Sequence, residues 1–148
     1  MQQTLILLKP DAVQRRLVGE ITGRFERKGL RLAGLKLVAA SRELAEKHYA
    51  VHKGKPFYES LLKFLTSGPT VALVWEGREA VAVARNLMGM TDGAKAVPGT
   101  VRGDFALSVQ NNLVHGSDSP ENAVAEIALW FKPEELVAYT QTDATWVG

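Results

Sequence analysis

The sequence predicts an α+β fold in which helices are laid against one antiparallel sheet. Three observations carry this. Two short apolar runs, Thr4–Leu8 and Pro69–Trp75, read as buried central strands. The segments around them repeat apolar residues every three or four positions, as helices with one buried stripe do. A last apolar pair, Leu113-Val114, arrives after a long aperiodic stretch and just before another helical pattern. The chain has 148 residues, enough to bury a large core. No composition shift, repeat or linker divides it, so a single domain over residues 1–148 is expected.

The first strand stops at Lys9-Pro10. Leu17, Ile21 and Phe25 then mark a helix that Gly29 ends. Leu30–Ala40 alternates loosely and reads as a long strand, suited to an edge that pairs with another subunit. Ser41 caps a short helix, Arg42–Ala50. Pro56 opens the next, with Phe57, Leu61, Phe64 and Leu65 on one face. After the Pro69–Trp75 strand, Arg78–Met88 forms a helix with Arg85 on the edge of its apolar stripe, and Gly89 stops it. From Met90 to Asn112 the periodicity fails, and long loops in compact domains are usually functional. This one holds the phosphate-capable donors Thr91, Lys95, Thr100 and Arg102. The final helix buries Ala123, Ile127, Trp130 and Phe131, and the tail is expected to be anchored by Trp146. The order of elements matches the ferredoxin-like split βαβ arrangement.

Composition narrows the functions. Nearly half the residues are apolar and about a quarter are charged, as in a globular protein. A net charge of +2 does not favour general nucleic-acid binding. The absence of cysteine excludes disulfides and thiolate zinc sites. The start is unlike a signal peptide and no apolar run reaches membrane-span length, so no membrane contact and a cytoplasmic location are expected.

The densest signal is Asn112-Leu113-Val114-His115-Gly116-Ser117-Asp118-Ser119. Gly116 lets the chain turn, Ser119 offers an N-cap oxygen, and Pro120 suits the first helical position. His115 therefore falls at a strand-to-helix turn, near backbone N–H groups that favour an anion. A neutral imidazole there has a nitrogen free to attack phosphorus. His48 and His52, four apart, suggest a metal pair, but no third ligand pattern supports one. Lys9 reads equally as a solvated strand end, Phe57 as core, and Glu126 as an ordinary surface residue.

The octet resembles the active-site signature of the nucleoside diphosphate kinase family. The likeness extends along the chain through Leu8-Lys9-Pro10-Asp11, Gly68-Pro69, Val74-Trp75-Glu76-Gly77, Pro98–Phe105 and Trp130-Phe131. It implies transfer of the γ-phosphoryl group of ATP to His115 and then to a second nucleoside diphosphate. It implies that Lys9, Tyr49, Ser117 and Glu126 serve the reaction, with Glu126 orienting the imidazole. Lys9, Arg85, Thr91 and Arg102 would hold phosphates and His52 would support them, with Mg²⁺ bound through those phosphates and not by protein side chains. Asn112 would bond the sugar. Phe57 would stack on the base, beside Leu61 and Val109. The partners implied are nucleoside di- and triphosphates and copies of the chain itself, as a hexamer in preference to a tetramer. One departure is Gly93, where the family often has proline in a loop that bears on subunit contacts. No Walker motif is present, which argues against a P-loop mechanism. Two other readings stand beside this one: a nucleotide- or RNA-binding module in which His115 is inert, and a structural oligomer subunit.

Overall fold

Strand β1 (Gln2–Leu8) is central because it is apolar on both faces. In the computed structural model, which describes residues 1–148, it pairs antiparallel with β3 (Thr70–Gly77) on one side and β4 (Val114–Gly116) on the other. Strand β2 (Arg31–Val38) joins the far side of β3, again antiparallel. The order β2-β3-β1-β4 is that of the ferredoxin-like fold.

Strand alternation sends side chains to two cores. Ile6, Leu8, Leu73 and Trp75 pack against Ile21 and Phe25 of α2 (Val18–Lys28) and Ala84 and Met88 of α5 (Ala80–Met88). Leu5, Leu7, Ala72 and Val74 pack against α3 (Arg42–His48), α4 (Tyr58–Leu65) and α7 (Pro120–Trp130), through residues such as Leu62, Leu65, Ile127 and Trp130. Each fully buried large aliphatic contributes roughly 1.5–3 kcal/mol. Helices cover both faces, so no open sheet face is left for stacked bases. RNA-binding modules of this kind stack bases on an open face, so the covered sheet counts against that reading.

Two five-residue helices were not expected: α1 (Pro10–Gln14), directly after β1, and α6 (Val101–Phe105), inside the loop that looked aperiodic. The tail ends in α8 (Ala144–Val147). Its expected anchor is wrong: Trp146 is 89% exposed, and Val147 seats over Gly29 instead. β2 is an edge strand with Leu35 and Leu37 more than half exposed. No helix is long and apolar enough to cross a membrane.

Candidate active site

β4 sets His115 opposite Leu7 of β1, one residue from the strand's end. The approach to it is strained. Leu113 has φ +74 and is fully buried, and the Val114 N–H donates back to the Asn112 carbonyl at 2.8 Å. That is the tight γ-turn with positive φ, which costs a non-glycine residue about 1–3 kcal/mol. Two contacts hold it. The Leu113 N–H donates to Asp11 Oδ2 at 3.0 Å, and its carbonyl accepts from the Lys9 N–H at 2.8 Å. The unexpected helix α1 thus supplies the brace. Next to His115, Gly116 lies so close to Met88 Sδ that a Cβ would collide with it.

His115 Nε2 lies 3.1 Å from Glu126 Oε2. The other carboxylate oxygen accepts from Ser117 Oγ at 2.7 Å, and Ser117 Oγ accepts the Leu5 N–H at 3.2 Å. Burial works against charge on Glu126, yet the hydrogen bonds from His115 and Ser117 outweigh it and hold the carboxyl below its usual range. An ionised carboxylate only accepts, so Nε2 carries the hydrogen and Nδ1 keeps its lone pair. Helix α7 presents Glu126 from an N-terminus capped by Ser119, whose Oγ accepts the Asn122 N–H at 3.1 Å, with Pro120 in the first turn.

Cationic groups gather around the backbone that flanks His115. Lys9 Nζ donates to Asn112 Oδ1 at 2.5 Å, and Asn112 Nδ2 donates to the Thr91 carbonyl at 3.0 Å. Burial, opposed by Asp11 and helped by Arg102, lowers Lys9 to about 8. Arg102 gives hydrogen bonds to the carbonyls of Asn112, Gly89 and Val114 at 3.2, 3.0 and 2.7 Å. Three of a guanidinium's five N–H groups are thereby used, and burial with Arg85 nearby lowers it to about 10. Arg85, on the exposed edge of α5, gives one bond to the Gly116 carbonyl at 3.2 Å. At the other end, Phe57 stands at the start of α4 with Leu61 one turn on, and Val109 lines the same cleft. The cleft between measures about 1050 Å³.

A family model described as nucleoside diphosphate kinase matches residues 2–136. A nucleoside diphosphate kinase of Carboxydothermus hydrogenoformans is 60% identical over 99% of both chains, and one of Prochlorococcus marinus is 56% identical over 99% of this chain and 96% of its own. The chain belongs to the nucleoside diphosphate kinase family. A solved structure from the same family, from Babesia bovis, superposes with TM-score 0.97 at 44% identity over all of both chains. A halophilic enzyme of Halobacterium salinarum, solved in complex with CDP, has the same score at 46% identity, covering 99% of this chain and 98% of its own.

Within this kinase-family cleft the structure gathers almost all the residues singled out from the sequence. Lys9, Arg85, Thr91, Arg102 and Asn112 line one end, and Phe57, Leu61 and Val109 the other. His115 belongs to the first end, with Arg85 and Arg102 on the carbonyls flanking it, and Tyr49 and His52 lead from His48 to Phe57 through successive ring contacts. Burial and, secondarily, Asp11 push the Tyr49 hydroxyl up to about 12, so it stays a donor. His52 Nδ1 takes a hydrogen bond from Lys55 Nζ at 3.3 Å, which leaves its Nε2 free.

Several expectations need correction. Ser117 is fully buried and does not line the cleft; its link to the site is the hydrogen bond to Glu126. Thr100 is no phosphate donor. Its hydroxyl donates to the Val97 carbonyl at 2.7 Å and caps α6 by accepting the Gly103 N–H at 3.0 Å. Lys95 does not line the cleft. Gly93 is buried against the backbone of Ala106, where no Cβ fits, so this loop is packed around its glycine. Trp130 Nε1 donates to His48 Nδ1 at 3.2 Å, so that nitrogen is already engaged. His48, His115 and Glu126 bring ligand atoms within 4.8 Å of one another. Both oxygens of Glu126 and one nitrogen of His48 are already hydrogen bonded, so the trio is a satisfied network. His48 is the residue that sequence reasoning undervalued: its ring meets that of His115 edge-on, with centroids 4.5 Å apart.

Proposed function

We propose that the cleft binds one nucleotide with its phosphates toward Lys9, Arg85, Thr91 and Arg102 and its base at Phe57, and that His115 Nδ1 is the nucleophile. As a member of its family, the protein transfers the γ-phosphoryl group of ATP to other nucleoside diphosphates by a ping-pong mechanism through phosphohistidine. The observation that carries the assignment of the nucleophile is the Nε2 to Glu126 contact, which leaves Nδ1 as the nitrogen with a free lone pair. Attack forms the Nδ1–P bond and breaks the bond from Pγ to the bridging oxygen, so ADP leaves. The Nε2 hydrogen stays toward Glu126, which offsets the positive charge gained by the ring. The second half runs in reverse with another diphosphate, so one pocket is used twice. The rest is positioning and charge neutralisation.

The donor set fits Mg²⁺ carried by the substrate. The cleft's two carboxylates, Asp118 and Glu126, are both hydrogen bonded, and the remaining polar groups at the phosphate end are cations, a hydroxyl and an amide. Phosphate oxygens would hold the ion, which would neutralise charge between the phosphates. Lys9, Asn112 and Thr91 form a pre-tied group from which Lys9 meets phosphate and Asn112 the sugar. We place the protein in the cytoplasm, with its substrates.

The same reading includes a homo-oligomer, a hexamer ahead of a tetramer, built from dimers along β2. Its support is the exposed apolar edge at Leu35 and Leu37, since unpaired edges seek partners. Light scattering at micromolar protein tests it, and a monomeric mass overturns it. The chemistry is tested with γ-labelled ATP. Label should remain on the protein, labile to acid and stable to alkali. Acid-stable label would place the phosphoryl group on a hydroxyl and overturn the assignment to histidine.

A further inference from the structure

We infer that Trp130 and His48 are positioning residues that reserve Glu126 for His115. The inference rests on His115 being the phosphoryl acceptor. One carboxylate faces two imidazoles whose rings stand 4.5 Å apart. Glu126 can offset the charge of one imidazolium only. Which one it serves is decided on α7 itself. The Trp130 indole N–H can only donate, and it donates to His48 Nδ1 at 3.2 Å. His48 Nδ1 must therefore keep its lone pair, which fixes the neutral ring as the Nε2–H tautomer. A proton on Nδ1 would face the indole hydrogen. His48 is thus held uncharged and without a free lone pair, so it neither competes for Glu126 nor accepts phosphoryl.

The surroundings agree. The groups facing His48 are Lys47 and Tyr49 on its own segment, His52 on the following turn, Lys9 past β1, His115 on β4 and Glu126 on α7. Burial first, then His115, drives His48 down to about 3, against the pull of Glu126. Trp130 is itself buried, so its hydrogen bond is not exchanged with water.

The test uses the full chain. Nitrogen NMR of the imidazoles should show His48 as neutral Nε2–H from pH 8 down to pH 5. Trp130→Phe removes the indole donor, so His48 should show the Nδ1–H tautomer in part and should titrate at a higher pH than in the unaltered protein. Single-turnover phosphorylation of His115 should then fall with decreasing pH in that variant, by up to about tenfold per unit below the raised His48 midpoint. Adding His48→Asn, whose side chain still accepts a hydrogen bond but does not titrate, should abolish that fall. An Nδ1–H tautomer in the unaltered protein overturns the inference. So does an acid limb in Trp130→Phe that survives His48→Asn. The NMR result is independent of turnover, so a protein that takes no phosphoryl group would sink the function and leave the tautomer standing.

Discussion

The two ends of the cleft are built differently. At the end proposed for the phosphates, Lys9, Arg102 and Asn112 are 9%, 6% and 4% exposed, and each is tied by hydrogen bonds to others or to backbone. At the base end, Phe57 and Val109 are 46% and 51% exposed and offer only apolar surface. Order at one end is fixed before substrate arrives, so little is lost to reorganisation when charge develops. The other end provides contact without hydrogen-bond readout. On the proposed binding mode, the molecule commits its rigid, polar structure to the part every nucleotide shares.

The largest expected effect breaks the phosphate end at its centre. His115→Ala should remove the labelled intermediate entirely while nucleotide still binds. Label that persists on this variant would show that another group is the acceptor. Glu126→Ala comes next. It leaves His115 in place but frees its tautomer and removes the counter-charge, so single-turnover phosphorylation should slow roughly 10–100-fold, as when a histidine loses its orienting carboxylate. An unchanged rate would make Glu126 an ordinary surface residue.

Much of this contrast was legible in the sequence, but unevenly. β1, β3 and α7 announce themselves because a buried strand or a two-turn stripe needs many apolar residues in sequence. The octet around His115 packs turn, cap and nucleophile into eight consecutive positions. The residues that brace it do not share that locality. α1 and α6 span one turn each, too short for a period to show. Asp11 reaches Leu113 across 102 positions, and Trp130 reaches His48 across 82. Trp146 was misjudged because a tryptophan is usually an anchor, and hydrophobicity does not say whether a pocket exists to receive it.

The charge of Lys9 separates the two ends by pH. Its value near 8 means that it is cationic below that pH and loses its proton above it. kcat/KM, which reports the free enzyme, should therefore fall as pH rises through 8, by up to tenfold per unit. A bound phosphate favours the charged form, so kcat should hold to higher pH. A kcat/KM flat from pH 7 to 9.5 would show that Lys9 stays charged or is not needed. Phe57→Ala, at the other end, should leave that profile alone and weaken every nucleotide, purines somewhat more, by about 1–3 kcal/mol of lost stacking.

The smallest effect expected is discrimination among bases. Phe57, Leu61 and Val109 present no donor or acceptor to the exocyclic groups that distinguish adenine, guanine, cytosine and uracil. Strong rejection of a wrong substrate needs a buried polar group that the wrong substrate leaves unpaired. The polar groups nearest the base end are exposed or already engaged: Lys55 is on His52, and Ser60 Oγ donates to the Phe57 carbonyl at 2.8 Å. Differences between bases then reduce to differences in stacking area, a fraction of the roughly 1–3 kcal/mol that stacking supplies. Purine diphosphates should lead pyrimidines by about tenfold or less in kcat/KM, measured for each acceptor with phosphorylated enzyme, and ribose and deoxyribose forms should both be used. Gln110, which lines the cleft beside Val109, is the side chain to suspect if the comparison breaks. A preference above about a thousandfold exceeds 4 kcal/mol. It would mean that the loose end of the cleft closes on the base and reads it.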